Sequence, residues 1–235
     1  MNLKKNKQHT KLVDELFDSI HKKYDFMNDV ISFGSHRLIK RNAMKNCVNG
    51  NLLDLAAGTG DLAIYFRQLY VDEHKIILAD PNSEMLSYAK LRLAKKSLTE
   101  NVEFVTTYAE KLPFDDESFD NISIGFGFRN FTDKDKSLSE IKRVLKKNGK
   151  LIMIDFSKPT SSIIRFLNSI YLKNIVPIIA KIITGNFEEY HYLAKSIAEH
   201  PSQEKIIGMM NSAGLKNCRY KNKLNGIIAI HIGEK

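Results

Sequence analysis

Between residues 51 and 155, short apolar runs alternate with longer stretches whose apolar residues recur three and four apart. The runs predict strands over 51–56, 75–80, 101–106, 120–125 and 149–155, and the periodic stretches predict helices over 61–70, 83–96 and 134–146. Such alternation predicts a parallel sheet with helices on both faces. "KKNGK", 146–150, reads as a helix stop before a buried strand, "LIMIDF". Ahead of this region, "KLVDELFDSIHKK", 11–23, sets Leu12, Leu16 and Ile20 on one helical stripe with Val13 and Phe17 alongside, and a second helix is expected over 36–47. After Pro159 the pattern changes. Residues 160–200 read as helical with breaks at Pro177 and Gly185–Asn186, and 202–213 form another helix stopped by Gly214. "LKNCRY" and "IIAIHIG", 215–220 and 227–233, then read as two strands joined near Asn225–Gly226, a hairpin signal. The expectation is an α/β fold with a mostly parallel seven-stranded sheet ending in an antiparallel hairpin. One domain spans 1–235, with an N-terminal helical lid, 1–48, and a helical insertion, 160–213.

Charge adds a question about partners. The chain carries 36 basic and 27 acidic residues, a net +9. That suits nucleic acid, an anionic membrane surface, or simply solvated lysines. "MNLKKNKQHTK" is basic but no apolar core follows it, so no secretory signal is expected. The apolar run Ile175–Ala180 falls far short of the ~20 residues of a spanning helix. A cytoplasmic protein is expected. Cys47 and Cys218 form no CxxC pair and the seven histidines form no HExxH, so no metal site is expected.

The chemistry concentrates in "LLDLAAGTGDLAIYF", 52–66, an apolar strand, a glycine turn and a helix start. Gly58, Gly60 and Ala63 fit G-x-G-x-x-A, and Asp80 follows at the end of the second strand, where it would accept ribose hydroxyls. On these residues alone a dinucleotide remains open. Three features turn the choice toward S-adenosylmethionine. Asp54, inside the first strand, suits a cationic amino-acid tail and would be an awkward neighbour for a pyrophosphate. An acidic loop, "AEKLPFDDESFDNI", joins the third and fourth strands, with Ala109 placed to meet an adenine and Leu112, Pro113 and Phe114 to pack nearby. The terminal hairpin departs from a dinucleotide fold. Together these features resemble the class I, Rossmann-like methyltransferases.

Within that class the chain resembles the ubiquinone/menaquinone biosynthesis C-methyltransferase family. "YDFMNDVISFGSHRL", "LLDLAAGTGD", "AEKLPF", "FGFRNFTDKDKSL", "RVLKKNGKLIMIDFSKP", "YLAKSIAEHPSQE" and "AIHIGEK" carry the resemblance, in order along nearly the whole chain. Departures are Ile39 for Trp, Lys147–Asn148 for Pro–Gly, Asp155 for Glu, Tyr108 for Asn and Gly125 for Ser. The resemblance implies methylation of a ring carbon of a polyprenylated hydroquinone: a demethylmenaquinol, a 2-methoxy-6-polyprenyl-1,4-benzoquinol, or both. The "HPSQE" block looks closer to members of the ubiquinone branch. The resemblance also implies cofactor contacts at Asp54, Gly58, Thr59, Gly60, Asp80, Tyr108, Ala109 and Gly125, and catalytic roles for Arg129, Asn130 and Tyr24.

Each assignment has a plainer counterpart. Arg129 could pair with Asp133 or Asp135 in the next helix, and Tyr24–Asp25 could be a packed turn and not a lid. His36, His191 and His200 read as helix-start or surface residues as readily as bases. "IIRFLNSIYLKNIVPIIAKII", 163–183, could cradle a prenyl tail, meet a membrane at the inner face, or pack within the insertion. A homo-oligomer or a biosynthetic complex is open, and no nucleic-acid partner is expected. RNA methylation at a base nitrogen often uses a motif such as [DNS]-P-P-[FYW] after the fourth strand, where this chain reads "GFGFRN". The glycine turn with Asp80 would also suit a dinucleotide-linked oxidoreductase, and a pocket kept without turnover would make the chain a cofactor-binding scaffold in a lipid-pathway complex.

Overall fold

The structure, a computed structural model, describes Asp29 and residues 34–71, 74–178 and 188–235. The stripe at 11–23, Tyr24–Asp25 and the break at Gly185–Asn186 lie outside the described residues. Seven strands form one sheet: β1 Leu52–Leu55, β2 Ile76–Asp80, β3 Val102–Thr106, β4 Phe119–Gly125, β5 Leu145–Phe156, β6 Lys216–Lys223 and β7 Ile228–Glu234, in the order β3-β2-β1-β4-β5-β7-β6. β1 to β5 are parallel, and β7 is antiparallel to both β5 and β6. The described helices are α1 His36–Met44, α2 Asp61–Leu69, α3 Ser83–Ala94, α4 Lys134–Val144, α5 Ser162–Ile170, α6 Glu188–Glu199 and α7 Gln203–Ser212.

The strand runs are near-continuously apolar because both faces are covered. Alternate residues feed two cores. Leu52, Ile76 and Leu78 pack on one side, with Ala43 and Met44 of α1 and Leu62 and Phe66 of α2. Leu53, Leu55, Ile77 and Ala79 pack on the other, with Leu138 and Ile141 of α4 and Ile206 and Met210 of α7. Residues 203–212, read from sequence as the end of the insertion, therefore belong to the sheet's own covering layer. β1 lies beside both β2 and β4, so the strand order reverses there. Ligands of open α/β sheets bind at the carboxyl ends of the strands at such a reversal.

Two local readings change. β5 starts at Leu145 and not near 149. Phe119 pairs with Leu145 and Asn121 with Lys150, so residues 146–149 bulge out of the ladder. Asn148 (φ 63°) turns the chain, and a Cβ on Gly149 would lie 2.8 Å from the Lys146 carbonyl oxygen. Pro177 does not break its helix within the described residues. A π-turn over Tyr171–Ile175 precedes it, and helix continues through residue 178. The wider turn accommodates a residue that offers no N–H.

Candidate active site

The turn after β1 is built from left-handed backbone at Ala56 (φ 53°), Gly58 (φ 52°) and Gly60 (φ 80°). Gly60 is required twice over. It starts α2 in the left-handed region, and a Cβ there would sit 3.0 Å from Leu78 Cδ2 and 3.2 Å from Ala89 Cβ. Two carboxylates brace the turn. Asp80 Oδ2 accepts the Gly58 N–H at 2.8 Å and Oδ1 accepts the Asn82 N–H at 2.9 Å. Asp54 Oδ1 accepts the Ser123 hydroxyl at 2.8 Å and Oδ2 the Ala63 N–H of α2 at 3.1 Å.

Two adjoining hollows open at these strand ends. The larger, about 790 Å³, is lined by Gly58, Asp80, Tyr108, Ala109, Gly125 and Asn130 among others. The smaller, about 320 Å³, is lined by Lys40, Asp54, Thr59 and Asp61, and it shares Gly58 and Gly125 with the first. It offers a carboxylate and an ammonium, the complement of an amino-acid zwitterion. Lys40 bonds Asp61 at 2.8 Å, and Arg92 bonds the other Asp61 oxygen at 2.8 Å. Burial alone would raise the Asp61 pKa, but these two cations hold it well below the usual carboxylate range. Asp54 has no such neighbour in contact. Burial pushes it up to about 7, against the pull of its hydrogen bonds from Ser123 and Ala63.

Arg129 and Asn130 lie on a 3₁₀ turn, Phe128–Asn130, after β4. Asn130 lines the larger hollow; Arg129 does not. The Arg129 side chain is folded back beneath the turn. Its Nη1 donates to Asp155 Oδ1 at 2.8 Å and to the Phe126 carbonyl, and its backbone N–H donates to Asp155 Oδ2 at 3.0 Å. Both side chains of this ion pair are 3% exposed. The partner is thus neither Asp133, which caps α4 through the Lys136 N–H, nor Asp135. Burial acts to raise the Asp155 pKa, yet the charges of Arg129 and His200 keep it lowered.

The larger hollow therefore gathers Gly58, Asp80, Tyr108, Ala109, Gly125 and Asn130, and the smaller adds Asp54 and Thr59. Gly60 shapes the turn without lining either. Leu112 packs into the second core and Phe114 stands edge-on to Phe119, away from the hollows. His200, expected as a helix-start or surface residue, is buried with its ring edge-on to Phe128. Sequence reasoning misses Lys40, which lines the smaller hollow, and Asp155 and Tyr192, which line neither but bond Arg129 and Asn130. Tyr192 donates its hydroxyl to Asn130 Oδ1 at 3.3 Å. Among the described residues no cluster of three His, Cys, Asp or Glu side chains is placed to hold a metal, and no helix is long and apolar enough to cross a membrane.

Comparison with known proteins meets this geometry. A model of the ubiE/COQ5 methyltransferase family matches residues 2–235. The ubiquinone/menaquinone biosynthesis C-methyltransferase UbiE of Francisella tularensis subsp. tularensis is 46% identical over 96% of this chain and 91% of its own length. The enzyme of the same name from Hahella chejuensis is 43% identical over 95% and 91%. Among solved structures, a SAM-dependent methyltransferase from Aquifex aeolicus superposes with a TM-score of 0.63 at 20% identity, over 89% of this chain and 96% of its own. One from Thermotoga maritima gives 0.65 at 23%, over 94% and 99%. These two share the fold.

Proposed function

The chain belongs to the ubiE/COQ5 methyltransferase family, and we propose that it methylates a ring carbon of a polyprenylated hydroquinone, with Asn130 facing the quinol oxygen and Asp80, Asp54 and the Gly58–Gly60 turn holding the cofactor. It is an S-adenosylmethionine-dependent C-methyltransferase of quinone biosynthesis. One observation carries the assignment of residues: a single hollow is lined by both Asp80 and Asn130.

The donor set fits the cofactor. The Asp80 oxygens accept the Gly58 and Asn82 N–H groups, and a carboxylate is an acceptor-only group of the kind a ribose hydroxyl donates to. Asp54 and Lys40 would take the ammonium and carboxylate of the methionine tail. Tyr108 and Ala109 would meet the adenine, and Gly125 leaves room where the two hollows join. When bound, S-adenosylmethionine supplies an electrophilic methyl on a cationic sulfur. The chain's part is to align the ring carbon with that methyl, exclude water and stabilise a phenolate-like oxygen. Arg129 does not serve as a base, since a guanidinium, with a pKa above ~12, keeps its proton at any pH where the enzyme works. Its charge acts from beneath the turn, and water takes the phenolic proton. Tyr24 remains a proposed closing residue.

Mass spectrometry of quinones from cells lacking this protein tests the reading. Accumulation of demethylmenaquinone, of 2-methoxy-6-polyprenyl-1,4-benzoquinone, or of both shows the substrate and the branch. An unchanged quinone pool would overturn it.

Asp54 gives a pH test with two opposite slopes. A carboxyl raised by burial to about 7 is protonated below that pH, whereas the cofactor's ammonium favours the carboxylate. Cofactor affinity by calorimetry should therefore fall between about pH 8 and pH 6, approaching tenfold per unit below the Asp54 pKa. Binding should release a proton near pH 7. The stability contribution of a raised carboxyl is present at low pH and lost as pH rises through its folded value. The cofactor-free protein should thus melt higher at pH 6 than at pH 8 from this group. Asp54→Asn should flatten both slopes; unaltered slopes would remove Asp54 from the account.

The prenyl tail needs an apolar path. α5 has no buried residue, and it exposes Ile163, Phe166 (66%) and Leu167, with Ile178 exposed further along. A face of this kind marks a contact surface. We assign it to the tail at the membrane surface, on the cytoplasmic side, with the net +9 favouring anionic lipid. The protein should co-sediment with anionic vesicles. Phe166→Glu with Leu167→Glu should cut partitioning by at least about tenfold, given ~1.5–3 kcal/mol per buried large side chain. No vesicle binding, with a concentration-dependent rise in mass, would instead give this face to a second copy or to another enzyme of the pathway.

A further inference from the structure

We infer that Tyr192 is a positioning residue for methyl transfer: its hydroxyl fixes the Asn130 amide so that the NH2 group is presented to the quinol oxygen. The inference rests on the reading of Asn130 as the quinol-facing donor. Asn130 is held at the backbone, its N–H bonding the Gly127 carbonyl at 2.9 Å, on a turn that Asp155 grips through the Arg129 N–H and guanidinium. That fixes where the side chain starts but not which end of the amide faces the hollow. An amide turned by 180° would offer its carbonyl oxygen, which repels a phenolate; turned the other way it offers donors, which stabilise one.

The choice is made from α6. Tyr192 reaches Asn130 Oδ1 at 3.3 Å across 62 residues of sequence. No other described side chain or carbonyl bonds the Asn130 amide nitrogen, which is left for a ligand. Burial, and after it the charge of Glu199, raises the Tyr192 pKa against the pull of Arg129, so the phenol keeps its proton and can donate it to Asn130. α6 packs on both the 3₁₀ turn and the π-turn at Tyr171–Ile175, so Tyr192 is supported from two sides.

The test uses the full-length protein with a short-chain demethylmenaquinol. Tyr192→Phe should lower kcat about tenfold, the effect of one hydrogen bond to a polar partner. KM, cofactor affinity and melting temperature should hold. Asn130→Ala should cost more. Asn130→Asp keeps an acceptor for Tyr192 but offers no donor and adds a negative charge facing the phenolate, so it should be at least as slow as Asn130→Ala. The double variant, Tyr192→Phe with Asn130→Ala, should be no slower than Asn130→Ala alone. Unchanged kcat in Tyr192→Phe, or losses that multiply in the double variant, would overturn the inference. Absence of wild-type turnover on any quinol would instead sink the functional reading. The side-chain amide resonances of Asn130, identified as those missing from Asn130→Ala, then decide the positioning on their own. They should move in Tyr192→Phe; unmoved resonances would refute it.

Discussion

Arg129→Ala is expected to lower melting temperature and turnover together. The guanidinium and the Asp155 carboxylate are each 3% exposed and 2.8 Å apart. Removing the cation leaves a buried carboxylate with only the N–H groups of Arg129 and Phe156 as close donors. Breaking such a pair costs ~3–5 kcal/mol, roughly 6–20 °C for a chain of this size. Turnover should fall ~100- to 1,000-fold if the cation also stabilises the developing phenolate through the turn. Arg129→Lys should recover part of each loss, because a point charge cannot reach Asp155 and the Phe126 carbonyl as a planar group does. Replacing both partners, Arg129→Met with Asp155→Leu, separates the effects. An apolar pair of similar volume restores stability in many buried sites. Melting temperature should return while turnover stays low, and higher pH should partly rescue it as solvent ionises more of the phenol. Recovery of both properties in the double variant would reduce Arg129 to a structural brace.

That ion pair also marks where the sequence stops being legible. Helix-period arguments see neighbours three and four residues away, so Asp133 and Asp135 are the visible partners for Arg129. Asp155 lies on an adjacent strand 26 residues later and becomes visible only once β4 and β5 are in register. Along the chain it stands out only as a departure from the family's Glu. Lys40 shows the same limit, since one lysine in "HRLIKRNAM" reads as surface until α1 is laid on α2 against Asp61. The glycine turn after β1 is legible because its geometry is local. Glycines at fixed spacing must supply positive φ, and the acidic residue ending β2 must face the turn. Strand positions are legible too, because runs buried on both faces have no polar phase to misread. The bulge in β5 is not, because residues that turn the chain inside a strand carry the composition of a helix stop. The separation of α7 from the insertion is equally hidden. A helix on the sheet and a helix outside it share one period and differ only in what covers Ile206 and Met210.

Turnover should vanish when the substrate is held as the quinone, with cofactor affinity unchanged. The attacking atom is a ring carbon. A hydroquinone oxygen feeds electron density into that carbon, most strongly once its proton is gone, whereas a quinone carbonyl withdraws it. The residues around the hollow favour the first state and cannot repair the second. In the proposed role the Asn130 amide would donate to an oxygen that gains negative charge, and the same donor on a quinone carbonyl would withdraw more density from the ring. The residues proposed to hold the cofactor, Asp80, Asp54 and the glycine turn, would be indifferent to the ring's oxidation state. Binding and chemistry should therefore part company. Titration of cofactor in the presence of quinone should give the same affinity as with quinol, while methyl transfer under strict oxidation falls to background and returns on adding a reductant. Capping one oxygen refines the result. A quinol methylated on the oxygen adjacent to the accepting carbon has no phenolic proton to lose there and should be nearly inert, whereas a cap on the distant oxygen should cost far less. Equal rates on quinone and quinol, or on the two capped quinols, would mean that phenolate character does not drive the reaction, and Asn130 and Arg129 would lose the roles given to them.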